Sequence, residues 1–345
     1  MDREIKYSEA LNEALSQMME ARPEIIVMGE GVNYNNGIFG STHGLVEKFG
    51  SERVFDTPLS EDAITGVAIG AALAGMRPIM IHARVDFLML AMNQLVNHAS
   101  KWEYMFNRPV PIVVRAIIGR GWGQGSQHSQ SLQSLFAHIP GLRVIMPSSP
   151  YDAKGMMNSS LNSNMPIICI EHRWLYDEKG VVPEEIYSVS LDNAKIVEHG
   201  EDATIITSSY MVVEAIKAAK ILYNDYNIQV EIIDLRTIRP IDGSLVCQSV
   251  KKTGRALIAD IGWKSCGVSA EVAAIIAENV GQYLKSNIIR ITLPDYPAPA
   301  SFVMEQEYYP AVKDIVDGVL KLKKVNAEFK EEKSLNIEKP FKGPF

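Results

Sequence analysis

Hydrophobic positions along the chain follow two alternating patterns, one typical of amphipathic helices and one typical of buried strands. Leu11, Ala14, Leu15 and Met18 recur at helical spacing, which predicts an amphipathic first helix. Residues 25–29 then form a continuous apolar run that ends at a glycine, as a buried strand does. Similar apolar runs follow at 78–81, 111–114, 143–146 and 167–170. Such strands, separated by helices, predict a mostly parallel sheet covered on both faces.

A long helix is predicted from Phe87 to Tyr104, between the strands at 78–81 and 111–114. The stretch 177–193 is polar and is broken by Gly180 and Pro183, so we place a domain boundary there. A second alternating series follows, with strands predicted at 204–207, 229–233, 256–260 and 287–291 and helices at 211–223 and 268–278. We therefore predict an α/β chain with two domains, 1–185 and 186–322, each a mostly parallel sheet flanked by helices, and a C-terminal tail, 323–345.

The composition and charge of the chain indicate a folded globular protein and argue against some classes of function. A chain of 345 residues with 47% hydrophobic content can bury two cores. The net charge is −7 with acidic and basic residues interleaved, so the sequence indicates no basic patch for binding nucleic acid or an anionic membrane. No apolar run reaches membrane-spanning length and the N-terminus lacks an apolar signal region, so we predict a cytoplasmic location. Cys169, Cys247 and Cys266 lack metal-ligand spacing and are interpreted as reduced core thiols.

The hexapeptide Asp56–Glu61 leads from a predicted strand into an apolar helix. Ser60 suits the N-cap, which places Glu61 in the first helical turn. The helix dipole there favours a negative charge, whereas apolar packing disfavours one, and a carboxyl under both influences is suited to proton exchange. From the hexapeptide alone, the simpler interpretation is that Glu61 and Asp62 complement the helix dipole.

Two other segments could carry chemistry. Glu30 follows the strand 25–29, and ligands of open α/β sheets bind beyond the carboxyl ends of strands. The segment 119–131 alternates glycines with other residues and then reaches His128, a group that titrates near neutral pH. It lacks the ending of a phosphate-binding loop, which leaves a catalytic loop and a flexible surface loop as equal interpretations.

Several motifs together resemble the β-subunit of thiamine-diphosphate-dependent 2-oxo-acid dehydrogenases, the first components of the pyruvate, branched-chain and acetoin dehydrogenase complexes. The resemblance covers about residues 5–320. The motifs that carry it are Asp56–Glu61, Gly70–Pro78, Gln127–Gln130, Pro140–Val144, Asp234–Asp242 and Asp260–Gly267. It implies a transketolase-like fold with a pyrimidine-binding domain followed by a transketolase C-terminal domain.

The resemblance also implies roles for individual residues. Glu61 would hydrogen-bond the aminopyrimidine ring of thiamine diphosphate and promote loss of the proton from the thiazolium carbon. Phe87, Leu59 and Ala83 would contact that ring. Glu30 would share a proton path with Glu61, and His128 would serve acid–base and acyl-transfer steps. A potassium site of the family would map onto Ile112, Ser160, Leu161, Ser163 and Met165; Ser163 and Met165 are less polar than is usual there, so backbone carbonyls would be the ligands.

One motif of thiamine enzymes is missing from the sequence. They hold the diphosphate through magnesium with a Gly-Asp-Gly motif, which this chain lacks. The resemblance therefore implies a separate α-subunit that carries the diphosphate and magnesium ligands, in an α2β2 heterotetramer that acts on a 2-oxo acid and can associate with a lipoyl transacylase core.

Two departures from the family pattern keep other functions open. Arg84 and Asp86 add charges just before Phe87, and Arg120 and Trp122 make the glycine loop unusual. A split transketolase-like enzyme that transfers an acyl or two-carbon unit to a sugar, aldehyde or biosynthetic acceptor is the first alternative, and a non-catalytic scaffold subunit is the second. Joint retention of Glu61, Phe87 and His128 argues against the scaffold.

Overall fold

A computed structural model describes residues 3–119, 123–327 and 329, which form two compact units. The first unit comprises residues 3–119 and 128–191, and the second comprises 123–127 with 192–327 and 329. Arg120 and Trp122 of the glycine loop, and most of the predicted tail, lie outside the described residues.

The first unit contains the parallel sheet that the apolar runs predict. Its strands are β1 (Glu4–Lys6), β2 (Ile25–Gly29), β3 (Val54–Asp56), β4 (Arg77–His82), β5 (Val113–Ile118), β6 (Arg143–Ile145), β7 (Ile167–His172) and β8 (Lys179–Val181). Within this unit the sheet runs β6-β7-β5-β4-β2-β3, with each neighbouring pair parallel. β1 and β8 form a separate antiparallel pair. The carboxyl ends of β2, β3, β4 and β5 therefore lie along one edge of the sheet.

The helices of the first unit are α1 (Tyr7–Ala21), α2 (Leu45–Phe49), α3 (Glu61–Leu73), α4 (Val85–Leu88), α5 (Ser100–Phe106), α6 (Gln133–Ala137) and α7 (Pro150–Asn162). α1 buries Leu11, Ala14, Leu15 and Met18 and lies against α7, which confirms the predicted amphipathic helix. α7 starts at a proline, and the Ser149 side chain caps it by accepting a hydrogen bond from the Asp152 amide at 3.1 Å.

The helical stretch predicted from Phe87 to Tyr104 is present, but it is not one regular α-helix. After α4 ends at Leu88, a 3₁₀ turn covers Met89–Ala91 and a π-helix covers Gln94–Ala99 before α5 begins, and residues 85–106 are helical throughout. The Ser100 hydroxyl donates to the Val96 carbonyl at 2.8 Å, so a side chain competes with the main-chain ladder where the π-turn ends. Phe87 lies in the first turn of this stretch, shortly after β4.

A buried ion pair in the first unit fixes the segment that follows β2. The Arg115 guanidinium on β5 and the Glu171 carboxylate on β7 are fully buried, with Arg115 Nη2 2.8 Å from Glu171 Oε2. Arg115 also donates to the Ser41 hydroxyl at 2.9 Å, and the Tyr176 hydroxyl donates to Glu171. The negative charge of Glu171 raises the pKa of Arg115 despite burial. Glu30 and Ser41 both lie in the segment that connects β2 with α2. The hydrogen bond from Arg115 to Ser41 therefore anchors this segment to the sheet.

The second unit repeats the α/β pattern. Its strands are β9 (Lys195–Glu198), β10 (Ala203–Thr207), β11 (Val230–Asp234), β12 (Thr237–Arg239), β13 (Ala256–Trp263) and β14 (Ile289–Leu293). Its helices are α8 (Tyr210–Tyr226), α9 (Gly243–Thr253), α10 (Val268–Val280), α11 (Phe302–Tyr308) and α12 (Val312–Lys323). The sheet runs β14-β13-β10-β11-β9, parallel except for the antiparallel edge strand β9.

One interpretation of a residue in the second unit needs correction, and one prediction there is confirmed. Asp260 lies within β13, as the predicted strand at 256–260 requires, and its carboxylate accepts from the backbone amides of Gly262 at 2.9 Å and Ser269 at 3.0 Å, which ties the strand to the start of α10. Cys266 is exposed rather than in the core, whereas Cys169 of the first unit is buried as expected. Among the helices of the described ranges, none is both long and apolar enough to cross a membrane.

Candidate active site

The predicted site residues of the first unit cluster along the chain where its parallel strands end. Glu30 directly follows β2, Glu61 follows β3 after a short turn, and Ala83 directly follows β4. β3, β2 and β4 are consecutive neighbours in the sheet, so their carboxyl ends share one edge. Gly29 allows the close approach there, because a Cβ atom at this position would lie 2.2 Å from the Ile81 carbonyl oxygen. The topology thus gathers on one edge residues that are far apart in sequence.

Glu61 is the first residue of α3 and is only 9% exposed. Ser60 occupies the N-cap position, but its side chain makes no capping hydrogen bond within the described part of the chain. The first amides of α3 and the positive end of its dipole therefore remain available to favour a carboxylate at Glu61. This arrangement supplies the opposing influences, burial and dipole, that the sequence predicts for this carboxyl.

Glu30 is electrostatically coupled to Glu61. Burial raises the pKa of Glu30, and the negative charges of Glu61 and Asp56 raise it further. One carboxylate oxygen of Glu30, Oε1, is buried with no hydrogen-bond partner among the described residues. Asp56 also accepts a hydrogen bond from the Gly31 amide, so it holds the backbone beside Glu30. The Glu61 charge therefore reaches Glu30 and disfavours the ionised form of the Glu30 carboxyl.

Phe87 and His128 meet although 41 positions separate them in the sequence. Their ring centroids are 5.3 Å apart, with an interplanar angle of 60°. His128 Nδ1 is buried and has no hydrogen-bond partner in the part of the chain that the structure describes. Both side chains are partly exposed, as a ligand-contacting pair must be. Leu59, predicted to contact the same ring as Phe87, is 83% exposed in this chain, and Ala83 is half-buried after β4.

Two fully buried histidines lie at the carboxyl ends of the strands near this pair. Burial lowers the pKa of His82, the last residue of β4, to about 4. Burial and the charges of Arg84 and Arg173 lower the pKa of His172, the last residue of β7, to about 3. His172 Nδ1 accepts from the Trp174 amide at 3.2 Å, which gives this ring a structural role. Both rings are neutral at physiological pH, so neither adds a positive charge at this edge.

Comparison with known proteins assigns the chain to a family. Residues 3–179 match the model for the transketolase pyrimidine-binding domain, and residues 192–315 match the transketolase C-terminal domain. The β-subunit of acetoin:2,6-dichlorophenolindophenol oxidoreductase from Cupriavidus necator is 39% identical over 336 residues, covering 94% of this chain and 99% of the relative. The chain belongs to the β-subunit family of the 2-oxo-acid dehydrogenases.

Other members and a solved structure agree with this assignment. The β-subunit of 2-oxoisovalerate dehydrogenase from Bacillus subtilis is 39% identical over 320 residues, covering 92% of this chain and 98% of the relative. The β-subunit of the pyruvate dehydrogenase E1 component from Rickettsia felis is 38% identical over 321 residues, with coverages of 92% and 98%. A structure titled "Split gene transketolase, inactive beta4 tetramer" superposes with a TM-score of 0.75 at 19% identity, covering 94% of this chain and 99% of that chain. The last likeness establishes the fold, as predicted.

This β-subunit fits one half of thiamine diphosphate, the cofactor of its family. The buried Glu61 carboxyl and the partly exposed Phe87 ring suit an aminopyrimidine, which offers a ring nitrogen and an aromatic face. The sequence contains no Gly-Asp-Gly for the magnesium-bound diphosphate. In the described ranges, no group of three His, Cys, Asp or Glu side chains could hold a metal ion.

The residues mapped to potassium do not fit that ion. The carbonyl oxygens of Leu161 and Ser163 accept hydrogen bonds from Arg77 Nη1 at 3.1 and 2.7 Å, and Arg22 Nη1 also donates to Leu161 at 3.1 Å. Burial and the charge of Arg22 lower the pKa of Arg77, which shows how closely the two cations approach. The remaining carbonyls and hydroxyls are engaged as well: the Ile112 carbonyl accepts from Ile167, the Ser160 carbonyl from Ser163, and the Ser163 hydroxyl from the Met165 amide. The chemistry proposed below therefore uses no potassium.

Proposed function

We propose that this β-subunit, together with a separate α-subunit, decarboxylates a 2-oxo acid and transfers the acyl unit to a lipoyl group. The observation that carries the proposal is the buried Glu61 carboxyl at the start of α3, electrostatically coupled to Glu30. The relatives named for 2-oxoisovalerate and pyruvate support a 2-oxo-acid substrate. A scaffold subunit would have no use for two coupled carboxyls at a ligand-binding edge.

Glu61 and Glu30 have complementary tasks in this proposal. When bound, thiamine diphosphate supplies the nucleophilic carbon and the electron sink for decarboxylation. Glu61 binds the ring nitrogen and exchanges a proton with it, since the helix dipole favours its carboxylate and burial its neutral form. Glu30, whose pKa is raised, can relay that proton to and from Glu61.

The missing diphosphate motif supports a partner subunit. Leu59 and Val67, two positions before and six positions after Glu61, are 83% and 63% exposed in this chain. A partner at this site would bury them. We propose that an α-subunit covers them, supplies the diphosphate and magnesium ligands, and assembles with this chain as α2β2. Association with a lipoyl transacylase core and a cytoplasmic location remain predictions.

The His128→Ala variant should separate acyl transfer from cofactor binding. His128 lies against Phe87 with a buried, unpartnered Nδ1, so we expect it to exchange a proton with the acyl acceptor. Transfer to a lipoyl domain should fall by about 10²- to 10⁴-fold, the contribution typical of a general acid or base. The dissociation constant of thiamine diphosphate for the α/β complex, measured by calorimetry, should change far less.

The exposed His138 offers a matched control, since His138→Ala removes an imidazole from the same unit without touching the site. Equal losses of transfer and of cofactor affinity in His128→Ala would contradict the assigned role. If the wild-type complex transferred the acyl or two-carbon unit to a sugar or aldehyde and not to a lipoyl domain, that result would favour the split transketolase alternative.

The purified β-subunit alone should bind thiamine diphosphate weakly or not at all. It presents residues for the aminopyrimidine half, but its sequence has no Gly-Asp-Gly for the diphosphate. We expect binding to appear on calorimetric titration only after the α-subunit and magnesium are added. Equally tight binding without the partner would contradict the shared site.

A further inference from the structure

We infer that Asp86 is a positioning residue for His128, which it sets against Phe87 by accepting a hydrogen bond from Gln130. The inference rests on the proposed function, because it assigns a purpose to the placement of the proposed acyl-transfer histidine. It also gives a role to one of the two charges that distinguish this chain just before Phe87.

Two contacts connect the short helix α4 with the segment around His128. Gln130 Nε2 donates to Asp86 Oδ1 at 2.7 Å, and the adjacent Phe87 ring lies 5.3 Å from the His128 ring. Asp86 and Phe87 are neighbours on α4, and His128 and Gln130 are two positions apart. A polar and an aromatic contact between the same two short segments fix both the distance and the orientation of the imidazole.

The segment that carries His128 has few anchors of its own. It is neither helix nor strand from His128 to Leu132, and α6 begins only at Gln133. The hydroxyls of Ser129 and Ser131 are buried but have no hydrogen-bond partner among the described residues, so they do not hold the segment. Gly119, Gly123 and Gly125, upstream of His128, have positive φ angles of 86°, 57° and 60°, where glycine is favoured. A contact from a rigid element is therefore what fixes the ring position.

Asp86 is suited to that task because its carboxylate is the acceptor. Burial raises the pKa of Asp86, while the Gln130 hydrogen bond and the charge of Arg84 oppose this rise. Arg84 is itself held in place, since its Nη1 donates to the Gly119 carbonyl at 2.8 Å. Hydrogen bonds to a charged acceptor are about twice as strong as neutral ones. Asp86 Oδ2 has no partner within residues 3–119, 123–327 and 329, so the Gln130 bond is the carboxylate's main side-chain contact.

A simpler role for Asp86, as an acidic residue in the first turn of a helix, explains less. That role requires no contact with Gln130. The observed bond links residues 44 apart in sequence, which a purely local helix-capping role would not produce.

The test compares Asp86→Ala, Asp86→Asn and Gln130→Ala in the reconstituted α/β complex. Asp86→Ala removes the acceptor, and Gln130→Ala removes the side-chain donor while keeping the Gln130 backbone amide that also bonds the Asp86 carboxylate. Asp86→Asn keeps an acceptor oxygen. Asp177→Ala is the control, since it removes an exposed carboxylate of the same unit that accepts from Lys6 at 2.9 Å. The two readouts are hydrogen–deuterium exchange of the peptide spanning residues 128–132 and the ratio of acyl-transfer to decarboxylation rates.

Asp86→Ala and Gln130→Ala should each speed exchange in that peptide and lower acyl transfer about 10- to 100-fold, the loss expected for a hydrogen bond to a charged group. Decarboxylation should fall much less, and Asp86→Asn, which keeps the acceptor oxygen but loses the charge, should lie between the wild type and Asp86→Ala in both readouts. Unchanged exchange and transfer in the two Ala variants would overturn the inference, and so would an Asn variant as impaired as Asp86→Ala. Hydrogen–deuterium exchange of the peptide does not depend on catalysis. A wild-type complex that fails to decarboxylate a 2-oxo acid would therefore refute the proposed function, while the exchange measurement would still test the role of Asp86.

Discussion

The Glu61→Gln variant, assembled with its α-subunit, is expected to decarboxylate the 2-oxo acid about 10²- to 10⁴-fold more slowly than the wild type. Glu61 is buried at the first turn of α3, and we propose that it exchanges a proton with the cofactor there. Glutamine has nearly the same shape and keeps the packing, but an amide cannot exchange that proton. The loss should therefore appear in the turnover number, with the thermal unfolding temperature close to that of the wild type.

Asp62 supplies the matched control for this experiment. It occupies the next position in the first turn of α3 but is exposed, and it accepts a hydrogen bond from Gln94 at 3.2 Å. Asp62→Asn removes a negative charge from the same helix end, so it reports any effect of the helix dipole alone. Near-normal turnover in Glu61→Gln, or an equal loss in Asp62→Asn, would contradict the role of Glu61 as the proton-exchanging acid.

Mild acid should strongly destabilise the first unit. Burial lowers the folded-state pKa values of His82 and His172 to about 4 and about 3, from the ordinary histidine value of 6.5. Below pH 6.5 the unfolded chain binds two protons that the folded chain does not, so the free energy of unfolding falls as pH falls. Each histidine contributes about 1.4 kcal/mol per pH unit, so the loss by pH 4 is on the order of 5 kcal/mol. That is comparable with the whole stability of many domains.

Urea titrations of the purified chain between pH 7.5 and pH 4.5 would measure this dependence. The His82→Gln variant should lose about half of the slope between pH 6.5 and pH 4.5, because one of the two depressed pKa values is removed. His138→Gln should keep the full slope, because His138 is exposed. A free energy of unfolding that stays constant from pH 6.5 to pH 5 would contradict the prediction, because it would mean that folding does not lower the pKa values of the two rings.

The fold could be predicted where burial dictates the pattern. Strands such as β4 and β7 are buried on both faces, so their apolar runs identified them directly. The edge strand β9 has no fully buried residue and carries no such signal. The stretch from Phe87 to Tyr104 is helical as expected, but its π-helical part was not foreseen because periodicity does not reveal a π-turn, which here ends where the Ser100 hydroxyl bonds the Val96 carbonyl.

The site could be predicted where a residue follows a strand, and less well where it depends on a distant partner. Glu30 and Glu61 stand out because each lies just beyond the end of a strand. The sequence indicates Asp56 only as the first residue of the hexapeptide Asp56–Glu61. Its effect on the pKa of Glu30 depends on the parallel pairing of β2 with β3, which brings Asp56 beside Gly29. The bond between Asp86 and Gln130 joins segments that are unrelated in sequence, so no local spacing could reveal it.

The central claim is that Glu61 activates thiamine diphosphate within a site shared between two subunits. The most direct measurement is the rate at which the thiazolium C2 proton of bound cofactor exchanges with deuterium, followed by quenching and proton NMR in the α/β complex. We predict fast exchange in the wild type and a rate lowered by about 10²-fold or more in Glu61→Gln, with cofactor still bound. Equal exchange rates in the two complexes would contradict the account.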